Sequence, residues 1–236
     1  MDSSNNRKRM NRILATKGDG VFYETTYERP QCGDDEISVV SIMTGVCRSD
    51  IDMMSGNFGP LPLHMQGHEG LGRVTAVGSK VDDVQIGDFV ATRGEPAFAD
   101  RYNVRPGEYV KVPRDSPEFI LEPLACGMNL IKQELDLFNG FGKDILIRGS
   151  GFLAWVAYKT LREYNPSHHI DVVGSSNDIV WRDEGVELKK KAEGEYDIII
   201  DLKEIKRQAL RARVRIILIG WIKMSIWLNG NAPIVL

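Results

Sequence analysis

The segment DILIRGSGFLAWVAYKTLREY, residues 144–164, limits the possible folds more than any other part of the chain. It opens with the continuous apolar run of a strand buried on both faces, and from Phe152 onward apolar residues recur at helical spacing. Gly149, Ser150 and Gly151 leave room between the two for nothing longer than a tight turn. Further apolar runs follow in HHIDVVG, YDIIIDL and RIILIG, so the spacing predicts a parallel α/β sheet over residues 143–236. Residues 1–142 read differently. Short β-like runs (EISVVSIMT, GRVTAVG, DFVATR, EYVKVP) alternate with Gly, Pro and Asp, which predicts a small, partly open β-barrel. Near the end, Asn229-Gly230 in MSIWLNGNAPIVL predicts a two-residue hairpin, with Pro233 confining the last strand to an edge. The charged stretch KEIKRQALRARVR, residues 203–215, reads as a solvated helix face.

Composition narrows the partners. With 236 residues, 42% hydrophobic and 27% charged, the chain can bury the core of two ordinary domains. A net charge of -3 provides no field for a polyanion, so no nucleic-acid partner is expected. Cys32, Cys47 and Cys126 are odd in number and scattered, which suits a reducing compartment rather than a disulfide framework. The polar start MDSSNNRKRMNR has no signal-peptide core, and the longest apolar run contains Lys223 and is too short to span a bilayer. A cytoplasmic protein without membrane contact is expected.

The turn after the first parallel strand reads G-x-G-x-x-A, from Gly149 through Ser150, Gly151, Phe152 and Leu153 to Ala154. In a strand–turn–helix setting the first glycine makes the turn and the second admits a pyrophosphate to the backbone. The small third residue lets helix and strand pack closely. An ordinary tight βα turn is the alternative, and Arg148 stands where an apolar residue is more usual. The tip of the next strand is Gly174-Ser175-Ser176-Asn177, with Asp171 three residues too early to hold a ribose. A tip without a carboxylate does not repel a 2′-phosphate, so NADP is slightly favoured over NAD, although no arginine is there to clamp it.

Three fragments in the first half carry metal-binding residue types. Cys47 in TGVCRSDIDMMSG reads either as a small buried thiol or as a ligand. His68 and Glu69 in LHMQGHEGLGRVTAVG read either as a hydrogen-bonded loop pair or as two donors brought together at a bend permitted by Gly67 and Gly70. Glu122 in FILEPLACGMNLIKQ precedes proline at a helix start, where a carboxylate also favours the helix dipole. Together they supply the thiol, imidazole and carboxylate of a zinc site.

GVCRSD, GHEGLGRVTAVG, VQIGDFV, FADRYNV, EPLACG and GSGFLA, in this order, resemble the signature segments of the zinc-dependent medium-chain dehydrogenase/reductases, the alcohol, polyol and glucose dehydrogenase group. The resemblance runs from about residue 36 onward. It implies a GroES-like β-barrel catalytic domain over 1–142 and an abbreviated Rossmann dinucleotide-binding domain over 143–236. It also implies Zn2+ on Cys47 and His68, with Glu122 as third ligand and Glu69 able to enter or leave. Asp50 would hold the other ring N–H of His68, Ser49 would pass on the substrate proton, and Arg48 would contact the cofactor pyrophosphate. Gly149, Ser150, Gly151, Phe152, Leu153 and Ala154, with Ser175 and Ser176, would line the NAD(P) site. The implied activity is hydride transfer between NAD(P) and a small alcohol, polyol or aldose. EPLACG and a carboxylate at position 52 lean toward the sugar branch.

The chain departs from that pattern in four places. It lacks the lobe with four closely spaced cysteines, its middle nucleotide segment is short, and it is expected to be a shortened member ending soon after the hairpin. Asp52 occupies a position where the alcohol branch often has a proton-relaying histidine. Cys126 is read as a small helix residue or a spare ligand. SIWL and PIVL are candidate strands of a homodimer, since an unpaired apolar edge invites association. Two other readings stay open: a nucleotide-binding, non-catalytic sensor or assembly subunit, and a zinc-independent quinone or enal reductase.

Overall fold

Two sheets of different character organise the chain, one in each of two compact units, Met1–Pro123 and Leu124–Leu236. The computed structural model describes residues 10–59, 62–202, 212–219, 223–228 and 234–235. Among the described residues no helix is long and apolar enough to cross a membrane.

In the first unit, β1 (Met10–Thr16) and β2 (Phe22–Glu28) form an antiparallel ribbon. The main sheet contains β3 (Ile37–Thr44), β4 (Gly70–Val77), β5 (Phe89–Thr92), β6 (Arg101–Val104) and β7 (Tyr109–Val112), in the order β6-β3-β4-β5-β7. Every neighbouring pair in it is antiparallel. Its strands do not close into a ring among the described residues, because β6 and β7 remain at opposite edges. Alternation along the strands sends Ile37, Val39, Val74, Val90, Tyr102 and Val104 into one core. The ribbon is tied on by backbone bonds, Leu14 N–H to Phe98 O at 3.1 Å and Asp100 N–H to Arg12 O at 2.9 Å. Between β3 and β4 the chain forms α1 (Arg48–Met54), so the end of β3, the start of α1 and the start of β4 come together.

The second unit takes over inside α2 (Glu122–Lys132), because Leu130, Ile131 and then Phe138 pack into its core. There β8 (Asp144–Arg148), β9 (His169–Val173), β10 (Tyr196–Asp201) and β11 (Ala212–Ile219) are parallel, in the order β9-β8-β10-β11. Antiparallel β12 (Lys223–Leu228) and β13 (Ile234–Val235) extend that sheet. The Asn229-Gly230 turn and Pro233 lie outside the described residues, as do residues 203–211 of the charged stretch. Ala212–Arg215 of that stretch belong to β11 rather than to a helix face, because the strand pairs back to Tyr196 of β10. The helix α3 (Phe152–Tyr164) buries Ala154, Ala157, Tyr158 and Leu161 against Ile145 and Ile147, and α4 (Asp178–Asp183) adds Trp181 to the same core.

Strand order reverses between β8 and β10, and in such sheets ligands bind outside the carboxyl ends of the strands at that switch point. Arg148 finds its explanation there. Its Nη1 donates to Asp201 Oδ2 at 2.7 Å, directly across the β8–β10 register, and the two side chains are 12% and 0% exposed. Leaving one member of such a pair alone and buried costs about 3–5 kcal/mol. Arg148→Met is therefore expected to destabilise the second unit by about that amount, and adding Asp201→Leu to recover most of it. All four tryptophans lie beyond residue 150, so urea unfolding followed by tryptophan fluorescence reads this unit selectively. An unchanged midpoint for Arg148→Met is the contrary result.

Candidate functional site

Cys47 is the extended residue that caps α1, at φ -81 and ψ 160. Its backbone N–H donates to Asp50 Oδ2 at 2.8 Å, closing the first turn of the helix. Asp50 is fully buried, and its other oxygen stands 3.7 Å from His68 Nδ1. His68 arrives through a bend. Gly67 has φ +77, a side chain there would run into the Phe98 ring, and backbone bonds from Ala97 and Phe98 hold residues 66 and 67 in place. At this bend the successive side chains of His68 and Glu69 reach one place, which a regular strand would forbid. One donor atom each from Cys47, His68 and Glu69 all lie within 4.8 Å of one another. His68 and Glu69 are buried and Cys47 is half-buried.

Glu122 begins α2, also buried, and falls outside that three-residue group. Its Oε2 has no hydrogen-bond partner among the described residues. Burial pushes its carboxyl up to about 8; His68 and Arg93 oppose the shift, while Glu69 and Cys47 add to it. Burial likewise raises Glu69, against the pull of His68 and a hydrogen bond from Cys47, and it raises Asp50. Three buried carboxyls and a thiol around one imidazole, with Asp50 Oδ1 and Glu122 Oε2 without a hydrogen-bond partner among the described residues, form an electron-rich pocket. Thiolate, imidazole and carboxylate are zinc donors, so this residue set fits the ion.

In the second unit Ser150 is a hub. Its Oγ accepts the Ser176 N–H at 3.0 Å and lies 3.0 Å from Ser176 Oγ, and its carbonyl accepts from Asn177 Nδ2 at 3.1 Å and Trp181 Nε1 at 3.0 Å. The glycine turn and the Gly174-Ser175-Ser176 tip of β9 are thus held together. Gly149 sits at φ +131 beside Leu202, nothing crowds Gly151, and Ala154 is buried against the sheet while Phe152 is half-exposed. Asp171 is engaged inside the unit by Lys189 Nζ at 2.6 Å and by Tyr196 OH at 2.9 Å.

Residues 33–116 match the alcohol dehydrogenase GroES-like domain. Over that segment the chain is similar to the alcohol dehydrogenases, and its fold is similar to theirs. It is 25% identical to the L-threonine 3-dehydrogenase of Idiomarina loihiensis over 194 residues, 68% of this chain and 55% of that protein. With the mannitol dehydrogenase of Petroselinum crispum it shares 39% identity over 66 residues, 27% of this chain and 19% of the relative. The fold is that of a cinnamyl alcohol dehydrogenase from Sorghum bicolor, with TM-score 0.69 and 20% identity over 88% of this chain and 76% of that one. A Helicobacter pylori relative solved with NADP(H) gives 0.65 at 17% identity over 81% and 68%. The chain spans about half the length of the threonine dehydrogenases it matches.

The other expected residues are placed unevenly. Ser49 is buried in the first turn of α1, its hydroxyl without a hydrogen-bond partner among the described residues. Arg48 is exposed, its Nε 3.5 Å from Asp52 Oδ1, which also accepts from Asn57 Nδ2 at 3.3 Å. Cys126 is half-buried and belongs to the second unit. Sequence reasoning passed over Asn57 and Gly45; a glycine two residues before a candidate ligand was the available signal for Gly45.

The raised carboxyls set a pH dependence for zinc-free protein. Glu122 titrates near 4.5 in the unfolded chain and about 8 in the folded one. Between those values the unfolded state releases a proton that the folded state keeps, so rising pH favours unfolding. Calorimetry of chelator-treated protein is expected to show the first unit losing stability from about pH 5 to about pH 8. Glu122→Gln should flatten that slope; an unchanged slope would show that Glu122 is not the group responsible.

Proposed function

We propose that this chain is a zinc-dependent oxidoreductase that moves hydride between NAD(P) and a small alcohol, polyol or aldose. The cluster of Cys47, His68 and Glu69 within the matched domain carries the reading. Cys47 Sγ, His68 through the nitrogen turned away from Asp50, and a carboxylate from Glu69 or Glu122 would hold the ion and leave one position open. Bound zinc would lower the pKa of an alcohol and polarise a carbonyl, while a nicotinamide would carry the hydride.

The remaining roles belong to the chain's own side chains. Asp50, whose Oδ1 faces His68 Nδ1 at 3.7 Å, would orient the ring. The unbonded hydroxyl of Ser49 takes the proton of a substrate hydroxyl and passes it outward, and Asp52, steadied by Arg48 and Asn57, is the next acceptor. Arg48 contributes positive charge for a pyrophosphate. Gly149, Ser150, Gly151 and Ala154 shape the dinucleotide turn, with Phe152, Leu153, Ser175 and Ser176 around it. The tip of β9 keeps no free carboxylate, since Asp171 is tied to Lys189, and this supports NADP over NAD. A homodimer joined through the β12–β13 end of the sheet, working in the cytoplasm, completes the reading.

Purified protein is expected to hold about one zinc per chain. Cys47→Ala should abolish both the zinc and the alcohol- or sugar-dependent reduction of NADP. Zinc retained in that variant would remove Cys47 from the site. NADPH bound tightly but without turnover across alcohols and sugars would favour a non-catalytic homologue. Zinc-free protein that still oxidises NADPH with quinones or enals would favour the metal-independent reading.

A further inference from the structure

The end of β3 and the start of β4 meet closely beside the cluster. Gly45 donates its N–H to Glu69 O at 2.8 Å, and Thr44 pairs with Gly70 across the ladder. At this crossing the side chain of Glu69 lies over the Cα of Gly45. A Cβ built on Gly45 would overlap Glu69 Oε2 and stand 3.0 Å from Glu69 Cβ and 3.1 Å from Glu69 Cδ. The backbone does not ask for glycine at position 45, because Gly45 is absent from the positive-φ residues. The requirement comes from space alone, and Glu69 occupies that space.

We propose that Gly45 is a positioning residue, and that its missing side chain is the slot that keeps the Glu69 carboxylate against Cys47 and His68. A methyl group there meets the flexible end of Glu69 first, so the carboxylate swings away and the crossing of β3 and β4 loosens around it. Glu69 then loses its hydrogen bond with Cys47 and leaves the donor cluster. The consequence for zinc rests on the metal reading proposed above; the slot itself does not.

The test is a double-mutant cycle of Gly45→Ala and Glu69→Ala with two readouts. The first is zinc affinity, measured by competition with a chelator. Gly45→Ala is expected to weaken it at least about tenfold, the usual loss when a supporting partner of a metal site is removed. Glu69→Ala should do the same, and the double variant should bind no more weakly than Glu69→Ala alone. The second readout is amide hydrogen exchange of metal-free protein over residues 44–47 and 68–71. Gly45→Ala should speed exchange there in the wild-type background. It should not do so when Glu69 is already alanine, where a Gly→Ala change only restricts the unfolded chain. Equal effects of Gly45→Ala in both backgrounds, in either readout, would overturn the slot. Failure of the wild-type chain to bind zinc would overturn the metal reading, and the exchange cycle alone would then decide the slot.

Discussion

The carboxylate of Asp50 is the interaction on which the candidate site depends. One oxygen accepts the Cys47 N–H and the other faces His68 Nδ1, so a single buried group references both residues to one point. The first contact is helix capping, available because α1 begins directly after Cys47. The second needs the bend at Gly67, which turns His68 inward before β4 starts. Remove the cap and the thiol loses its place relative to the imidazole, even with both strands intact. The β3–β4 ladder brings the segments near each other, and Asp50 decides how their side chains meet.

Ser150 performs the corresponding task in the second unit with neutral groups. Its hydroxyl and carbonyl gather the Ser176 N–H, the Asn177 amide and the Trp181 indole around the turn after β8. Gly174 leaves the space into which the Ser150 hydroxyl fits, much as Gly45 leaves space for Glu69. Both places join two chain segments by pairing a polar side chain with an opposing glycine. At Ser150 this close approach also lets the hydroxyl accept the Ser176 backbone N–H.

Much of this was legible in the sequence, and the exceptions have a common cause. The parallel strands, α3 and the glycine turn follow from apolar spacing and turn chemistry, which are local. Cys47, His68 and Glu69 were legible as donor types in a known order. A bend at Gly67 for His68 and Glu69 was legible as one of two readings, whereas the Cys47 N–H to Asp50 cap that places the thiol was not. Arg148 could not be read at all, since its partner Asp201 lies 53 residues further on in a neighbouring strand. The stretch at 203–215 misled by composition: its basic residues suggested a solvated helix, whereas Ala212–Arg215 pair with β10 as strand. Gly45 was silent for the same reason as Arg148. A glycine's steric role is a property of whatever faces it.

The Arg148–Asp201 pair and the acidic cluster around His68 differ in a way that bears on what each can do. Arg148 and Asp201 neutralise each other at the switch point, one cation to one anion, and the pair is complete as it stands. Around Cys47 the balance is one-sided. Asp50, Glu69 and Glu122 are all pushed toward their neutral forms, and burial is the leading cause for each. Folding has gathered acidic donors into a small buried volume where His68 and Arg93 offset only part of the cost. A protein can tolerate such a pocket by keeping protons on it, as burial favours for Glu122. A divalent cation would resolve the same imbalance by displacing those protons and satisfying the unbonded oxygen of Glu122. The shifted carboxyls and the donor geometry are therefore two views of one property, the acidic groups that folding has buried around His68.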